Sequence, residues 1–254
     1  MRIFALLALA AGLIGSSNPA AAQGSAAAPS SATASSPAVV ELFTSQGCSS
    51  CPAADALLGR LAGRDDVIAL SMSVDYWDYL GWKDTLASPK FTERQHAYKA
   101  SLAVPMVYTP MMVVNGLAHL NGSREDKVLS AIEKTSQALM SKRVPIRMMA
   151  DKGKLTIEAD AAPQAAQAKD STLWLAVIAK SVDVPITRGE NRGHTITYHN
   201  VVRELIPVGV WNGSAMTVQL EQHTFMRPGT ERCAVLLQQG KAGPIIGAAL
   251  LKQL

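Results

Sequence analysis

Two cysteines, Cys48 and Cys51, stand two residues apart in FTSQGCSSCPAAD, residues 43–55, between a glycine and a proline. Two intervening residues bring the sulfurs within bonding reach, which suits three kinds of chemistry. The pair can exchange disulfides, with Cys48 as nucleophile and Cys51 resolving the mixed disulfide. It can be a permanent structural bond. It can also hold a soft metal such as Cu(I), which prefers thiolates, with His119 completing the site. Zinc would need a second Cys pair or a close His pair, and His96, His119, His194, His199 and His223 are scattered. Cys233 lies in the apolar run RCAVLLQQ and reads as a buried free thiol; a resolving thiol or an intermolecular bridge is the alternative.

The elements around the pair follow from local pattern. VVELFTS, residues 39–45, is β-branched and apolar enough for a buried strand. Gly47 breaks it, and Pro52 suits the first turn of a helix, where its missing N–H costs nothing. Leu57, Leu58 and Leu61 repeat at helical spacing, and Gly63 closes the helix. VIALSMSV, residues 67–74, predicts a second strand, parallel to the first. Cys48 is then expected exposed at the positive helix N-terminus, with Cys51 one turn further in and more buried. The Ser49 and Ser50 hydroxyls can donate toward the sulfur.

Residues 75–103 form an insert that opens DYWDYLGWKD and ends in a helix over 90–102. Tyr76, Trp77, Tyr79 and Trp82 serve either as a client-binding lip or as cover for a sheet edge. In VYTPMMVVNG, residues 107–116, a strand over 111–114 meets the tight-turn pair Asn115-Gly116, so a strand over 117–120 folds back antiparallel. Ser123 is placed to cap a helix running to about residue 140, with Val128, Leu129, Ile132, Leu139 and Met140 as its apolar face. The order is β-α-β-insert-β-β-α.

Beyond a boundary near residues 141–145 the character changes. Runs at 155–159, 173–179, 195–205, 216–220 and 233–238 read as strands, with Lys152-Gly153 and Asn212-Gly213 as turns, which suggests a β-sandwich. Residues 161–170 read as a loop or short helix. ITRGENRGHTITYHNVVREL, residues 186–205, is densely polar beside these apolar strands. It either reaches toward Cys48 to shape a cleft or forms an exposed hairpin with a paired interface network.

The 254 residues are 48% hydrophobic and 17% charged, enough for one large core or two modest ones. The formal charge of +4, without a basic patch interleaved with aromatics, excludes a nucleic-acid-binding reading. MRIFALLALAAGLIGSSNPAAA, residues 1–22, reads as a secretory signal peptide, with an uncleaved anchor as the alternative. Residues 23–37, almost all Ala, Ser, Gly and Pro, read as a disordered tether. Export implies a periplasmic or secreted protein in an oxidising compartment.

ELFTSQGCSSC and the stretch 108–116 resemble the two signature segments of the thioredoxin fold: the redox pair and a loop holding a proline before an edge strand. More narrowly, GCSSCP, VDYWDYLGWKD, YTPMMVVNG and RGENRGHTITYHNVVREL together resemble the secreted family called domain of unknown function 1223, over roughly residues 38–254. The resemblance implies an α/β thioredoxin-like domain over 38–142, followed by an all-β sandwich-like domain over 143–254. It implies thiol–disulfide oxidoreductase chemistry with Cys48 and Cys51 as catalytic residues. Thr109 and Pro110, in a cis bond, would guide the client beside Trp77 and Trp82. No metal or other cofactor is expected. The client would be a protein or a small thiol or disulfide, and the sequence names no recycling partner. Two departures stand out: Leu42 occupies the place where thioredoxins bury a proton-carrying Asp, with Glu41 facing the other way, and Gly47 replaces the Trp before the first cysteine.

Overall fold

The computed structural model describes residues 36–163 and 171–254, together with Met1. The expected signal peptide, nearly all of the expected tether, and residues 164–170 of the loop at 161–170 lie outside the described residues. The described residues from Ser36 onward belong to one compact unit.

β1 (Ala38–Thr44), α1 (Pro52–Leu61) and β2 (Val67–Ser73) are the first three elements, and β1 pairs with β2 in parallel from Ala38–Val67 to Thr44–Ser73. The insert winds through a short 3-10 turn before α2 (Pro89–Ser101), whose start is capped by the Ser88 hydroxyl accepting from the Lys90 N–H. β3 (Met111–Val114) and β4 (Ala118–Asn121) form the expected hairpin. Asn115 and Gly116 both have positive φ, 51° and 65°, the left-handed geometry such a two-residue turn requires. α3 (Glu125–Leu139) follows. It begins without a side-chain cap, and Ser123 instead donates to the Ser50 carbonyl at 3.3 Å. Val128, Ile132 and Leu139 are buried as expected, whereas Leu129 and Met140 point to solvent.

The second half departs from expectation. β7 (Ser171–Pro185) and β8 (Thr195–Trp211) form a long antiparallel hairpin, and β10 (Arg232–Gln239) and β11 (Ile245–Leu251) extend it on the β7 side. β8 also joins β2 in parallel through Ser71 and Val201. One mixed eight-stranded sheet therefore runs β11-β10-β7-β8-β2-β1-β3-β4. A thioredoxin-like α/β domain followed by a separate sandwich is not what this chain forms, because the open edge of β2 is occupied by β8. Asn200 makes the junction. Its backbone takes φ 45°, its side-chain N–H₂ donates to the Ala69 carbonyl at 3.0 Å, and its side-chain oxygen accepts from Arg232 at 2.9 Å. A polar side chain thus completes hydrogen bonding where the two strands diverge.

β5 (Ile146–Asp151), β6 (Lys154–Ala159) and β9 (Met216–Glu221) make a second, three-stranded sheet. Leu155 and Ile157 of β6 pack with Leu173, Leu175 and Val235 of the large sheet, and the Cys233 thiol is buried in this layer, as read from the sequence. On the first half of the large sheet, one face buries Phe43, Leu70 and Met72 with α2. The opposite face buries Val40, Leu42 and Met112 with α1 and α3. Both faces of β1 are covered, which explains its near-continuous apolar sequence. Among the described residues, no helix is long and apolar enough to cross a membrane.

Candidate functional site

Cys48 and Cys51 form a disulfide, with Cα atoms 5.5 Å apart. The strand-to-helix connection places it. Cys51 N–H donates to the Cys48 carbonyl, and the Ala54 and Asp55 N–H groups donate to the Cys51 carbonyl, which makes Cys51 the N-cap of α1. Cys48 thus precedes the helix, within a turn that also bonds its N–H to the Ser45 carbonyl. It is 2% exposed, and Cys51 is fully buried. The expectation of an exposed Cys48 is corrected: a cover lies over the motif. Ser49 and Ser50 are exposed, and only Ser50 reaches the sulfur, Oγ to Cys48 Sγ at 3.3 Å.

The cover comes from the β7–β8 connection, 143 residues further along the chain. Asn191, itself buried, donates through Nδ2 to the carbonyls of Gln46 at 2.8 Å and Cys48 at 3.0 Å. Glu190 accepts from the Ser49 N–H at 3.2 Å. Of the two readings of segment 186–205, this is the one that reaches the cysteines, and Asn191 is the residue that does so. Sequence reasoning named it only among many polar neighbours.

The insert supplies the other wall. Trp77 stands against Gly47, where an added Cβ would lie 3.2 Å from the Trp77 Cβ. This close approach accounts for glycine before Cys48. The Trp77 indole N–H donates to Thr109 Oγ1 at 2.8 Å, linking the motif to the Thr109–Pro110 peptide bond, which is cis. β3 follows at once, with Met111 paired to Phe43. The Trp82 indole N–H donates to Gln46 Oε1 at 2.8 Å, and the Gln46 N–H donates to Asp84 at 2.8 Å. Cys48, Cys51, Trp77, Trp82, Thr109 and Pro110 therefore gather at one end of the sheet. The indole N–H groups of both Trp point inward and are satisfied; Tyr79 is the exposed ring of the aromatic run.

Beside the motif, between α1 and β8, opens a cavity of about 700 Å³ lined by Ser49, Pro52, Gly59, Asn191, His194 and His199. His199 lies so close to Gly59 that a Cβ there would come within 2.5 Å of its ring. His119 lies on β4 and bonds Tyr108 Oη at 3.1 Å. Among the described residues no three His, Cys, Asp or Glu side chains gather as a metal-binding group, so the copper reading gains no support from residue placement.

Sequence reasoning also missed Asp55. It sits in the first turn of α1, where an acidic residue reads as a favourable partner for the helix dipole. Its side chain is instead buried, 2% exposed, and neither carboxyl oxygen makes a hydrogen bond of normal geometry. Burial pushes the Asp55 carboxyl up to about 8; the Thr44 hydroxyl eases the rise and the nearby Asp84 carboxyl adds to it. The Thr44 hydroxyl, close enough to Asp55 to ease that rise, and the Tyr198 phenol are likewise buried without a hydrogen bond of normal geometry. Burial, with Asp55 and Asp84 nearby, raises the Tyr198 phenol.

A search of curated proteins finds no match. Among solved structures, the chain is similar to a protein from Agrobacterium tumefaciens determined by X-ray crystallography as a structural-genomics target. That structure is 34% identical, with 84% of this chain and 93% of that one covered and a TM-score of 0.74. The chain is also similar to HBP35 of Porphyromonas gingivalis, at 12% identity, covering 86% of this chain and 76% of that one, with a TM-score of 0.58, a likeness of fold alone. The model of the family described as protein of unknown function (DUF1223) matches residues 39–238, and the chain belongs to that family.

Proposed function

We propose that the protein is a thiol–disulfide oxidoreductase working outside the cytoplasm, with Cys48 as the sulfur that meets the client and Cys51 as its partner. The observation that carries this reading is the closed Cys48–Cys51 bond at a strand-to-helix junction, tied through Trp77 to the Thr109–Pro110 loop. The N-terminal segment 1–22, read as an export signal, supports an oxidising location. In exchange, a client thiolate attacks Cys48 Sγ, the Cys48–Cys51 bond breaks, and a mixed disulfide forms on Cys48. Cys51 can later attack that mixed disulfide and restore the internal bond. Thr109 and Pro110, with Trp77 and Trp82, form the wall against which the client is held. The cover from Glu190 and Asn191 favours small thiols, or clients able to displace it.

The test is equilibration of the pair in glutathione buffers with alkylation and mass-spectrometric readout. A reduction potential of about −120 to −270 mV, with loss of all exchange in Cys48→Ser, supports the oxidoreductase. A potential below about −300 mV identifies a structural bond and overturns it.

A further inference from the structure

Breaking the Cys48–Cys51 bond releases Cys51 as a thiolate inside a fully buried site. A thiolate without water is costly, and burial likewise pushes the Cys233 thiol up to about 12. Exchange at this pair therefore needs a proton delivered from within the protein. The site that thioredoxins use holds Leu42, packed into the apolar layer under α1. Glu41 is committed elsewhere: it accepts from Arg94 Nε at 2.6 Å and from the Tyr98 hydroxyl on the α2 side of the sheet.

Asp55 is placed to supply the proton. Its N–H bonds the Cys51 carbonyl at 3.1 Å, and residues four apart in a helical turn share one face, with Cβ atoms about 5–6 Å apart. Both residues are buried, Cys51 fully and Asp55 to 2% exposure. The groups that face Asp55 are Thr44 at the end of β1, Asp84 in the insert and Tyr198 on β8. None is a cation, and no ion pair among the described residues includes Asp55. An unpaired buried carboxylate is strongly disfavoured, so this carboxyl holds its proton. Every other buried carboxylate near the motif has assigned work: Asp84 accepts from the Gln46 and Leu86 N–H groups.

We propose that Asp55 is the internal acid of the Cys48–Cys51 pair, protonating Cys51 as the disulfide opens and taking the proton back as it closes. This rests on the exchange reading above. The step balances. A client thiolate forms a sulfur–sulfur bond to Cys48, the electron pair of the Cys48–Cys51 bond passes to Cys51 Sγ, and the Asp55 carboxyl proton moves to that sulfur. The products are a mixed disulfide on Cys48, a neutral Cys51 thiol and an Asp55 carboxylate. The client thiol is the reductant, and the protein disulfide is reduced.

The test uses the full folded protein in its oxidised form, with 2-mercaptoethanol as the probe. Opening of the disulfide is trapped by alkylation and counted by mass spectrometry from pH 5 to pH 10. Rates are expressed per unit of probe thiolate. For the wild type we expect a constant rate below about pH 7 that falls above pH 8, as the acid form is lost. In Asp55→Asn the rate at pH 6 should fall at least tenfold and its pH dependence should vanish. The Asp55 carboxyl carbon, followed by ¹³C NMR in the oxidised wild type, should titrate near pH 8, a readout independent of whether any variant folds. An Asp55→Asn protein that opens within twofold of wild type with the same profile overturns the proposal and leaves exchange standing. So does a carboxyl already ionised at pH 6. A wild-type disulfide that the probe cannot open at any pH overturns the exchange reading, and this role with it.

Discussion

β1 carries or contacts two buried acids on its two sides, and they are treated in opposite ways. On the α2 side, Glu41 meets Arg94 and Tyr98, and Gln238 closes the ring by accepting from Arg94 at 3.0 Å and donating to Tyr98 at 2.8 Å. Burial works against the Arg94 charge, but Glu41 and Tyr98 more than offset it, so the guanidinium stays charged. On the α1 side, Asp55 has no such ring and sits among Thr44, Asp84 and Tyr198. The first acid is enclosed by a complete hydrogen-bond network that joins α2 and β10 to β1. The second is held as an acid by the lack of one. Complete satisfaction fixes structure, whereas the shortage around Asp55 favours the protonated carboxyl one helical turn from Cys51.

The comparison breaks most visibly at Glu41. Glu41→Ala leaves Arg94 buried and unpaired, and should cost about 3–5 kcal/mol in a denaturant titration. A loss under 1 kcal/mol would mean that the ring is not a structural unit. Asp55→Asn should do the reverse. The folded carboxyl titrates near 8 against 3.8 for the unfolded chain. Its folded value is raised, so the native state holds the extra proton between these values and stability declines as pH rises through that window. The variant should match wild type near pH 4 and exceed it by a growing margin up to pH 8, in thermal melts taken across that range. An equal margin at every pH would deny that Asp55 titrates in the folded state. The smallest effect concerns the cover. Asn191→Ala removes two hydrogen bonds over the motif and should cost about 1 kcal/mol in stability. It should raise the rate of disulfide opening by a small thiol several-fold. An unchanged rate would show that access to Cys48 does not run past Asn191.

Much of the local structure is legible in the chain. The β-α-β start follows from VVELF, Pro52 and the leucine spacing, and the Asn115-Gly116 turn is called for by residue type. The Cys48–Cys51 pairing is legible from its spacing. What could not be read are long-range choices. The capture of the β2 edge by β8 depends on one bridge and on the Asn200 side chain, and no periodicity encodes a strand's neighbour. That merger of sheets is why the expected thioredoxin-like fold followed by a β-sandwich is not what forms. The burial of Cys48 was missed because its lid lies 143 residues away. The burial of Asp55 is not legible either, because an acid in a first helical turn has an ordinary surface explanation. The role proposed for it follows only from what surrounds it.

The separation between motif and lid also sets an order in time. A chain made from its N-terminus presents Cys48 and Cys51 long before Asn191 exists. During that interval neither Glu190 nor Asn191 stands over the two cysteines. Closing the bond before the second half of the chain exists therefore displaces no lid, whereas reaching Cys48 in the folded protein means passing Glu190 and Asn191.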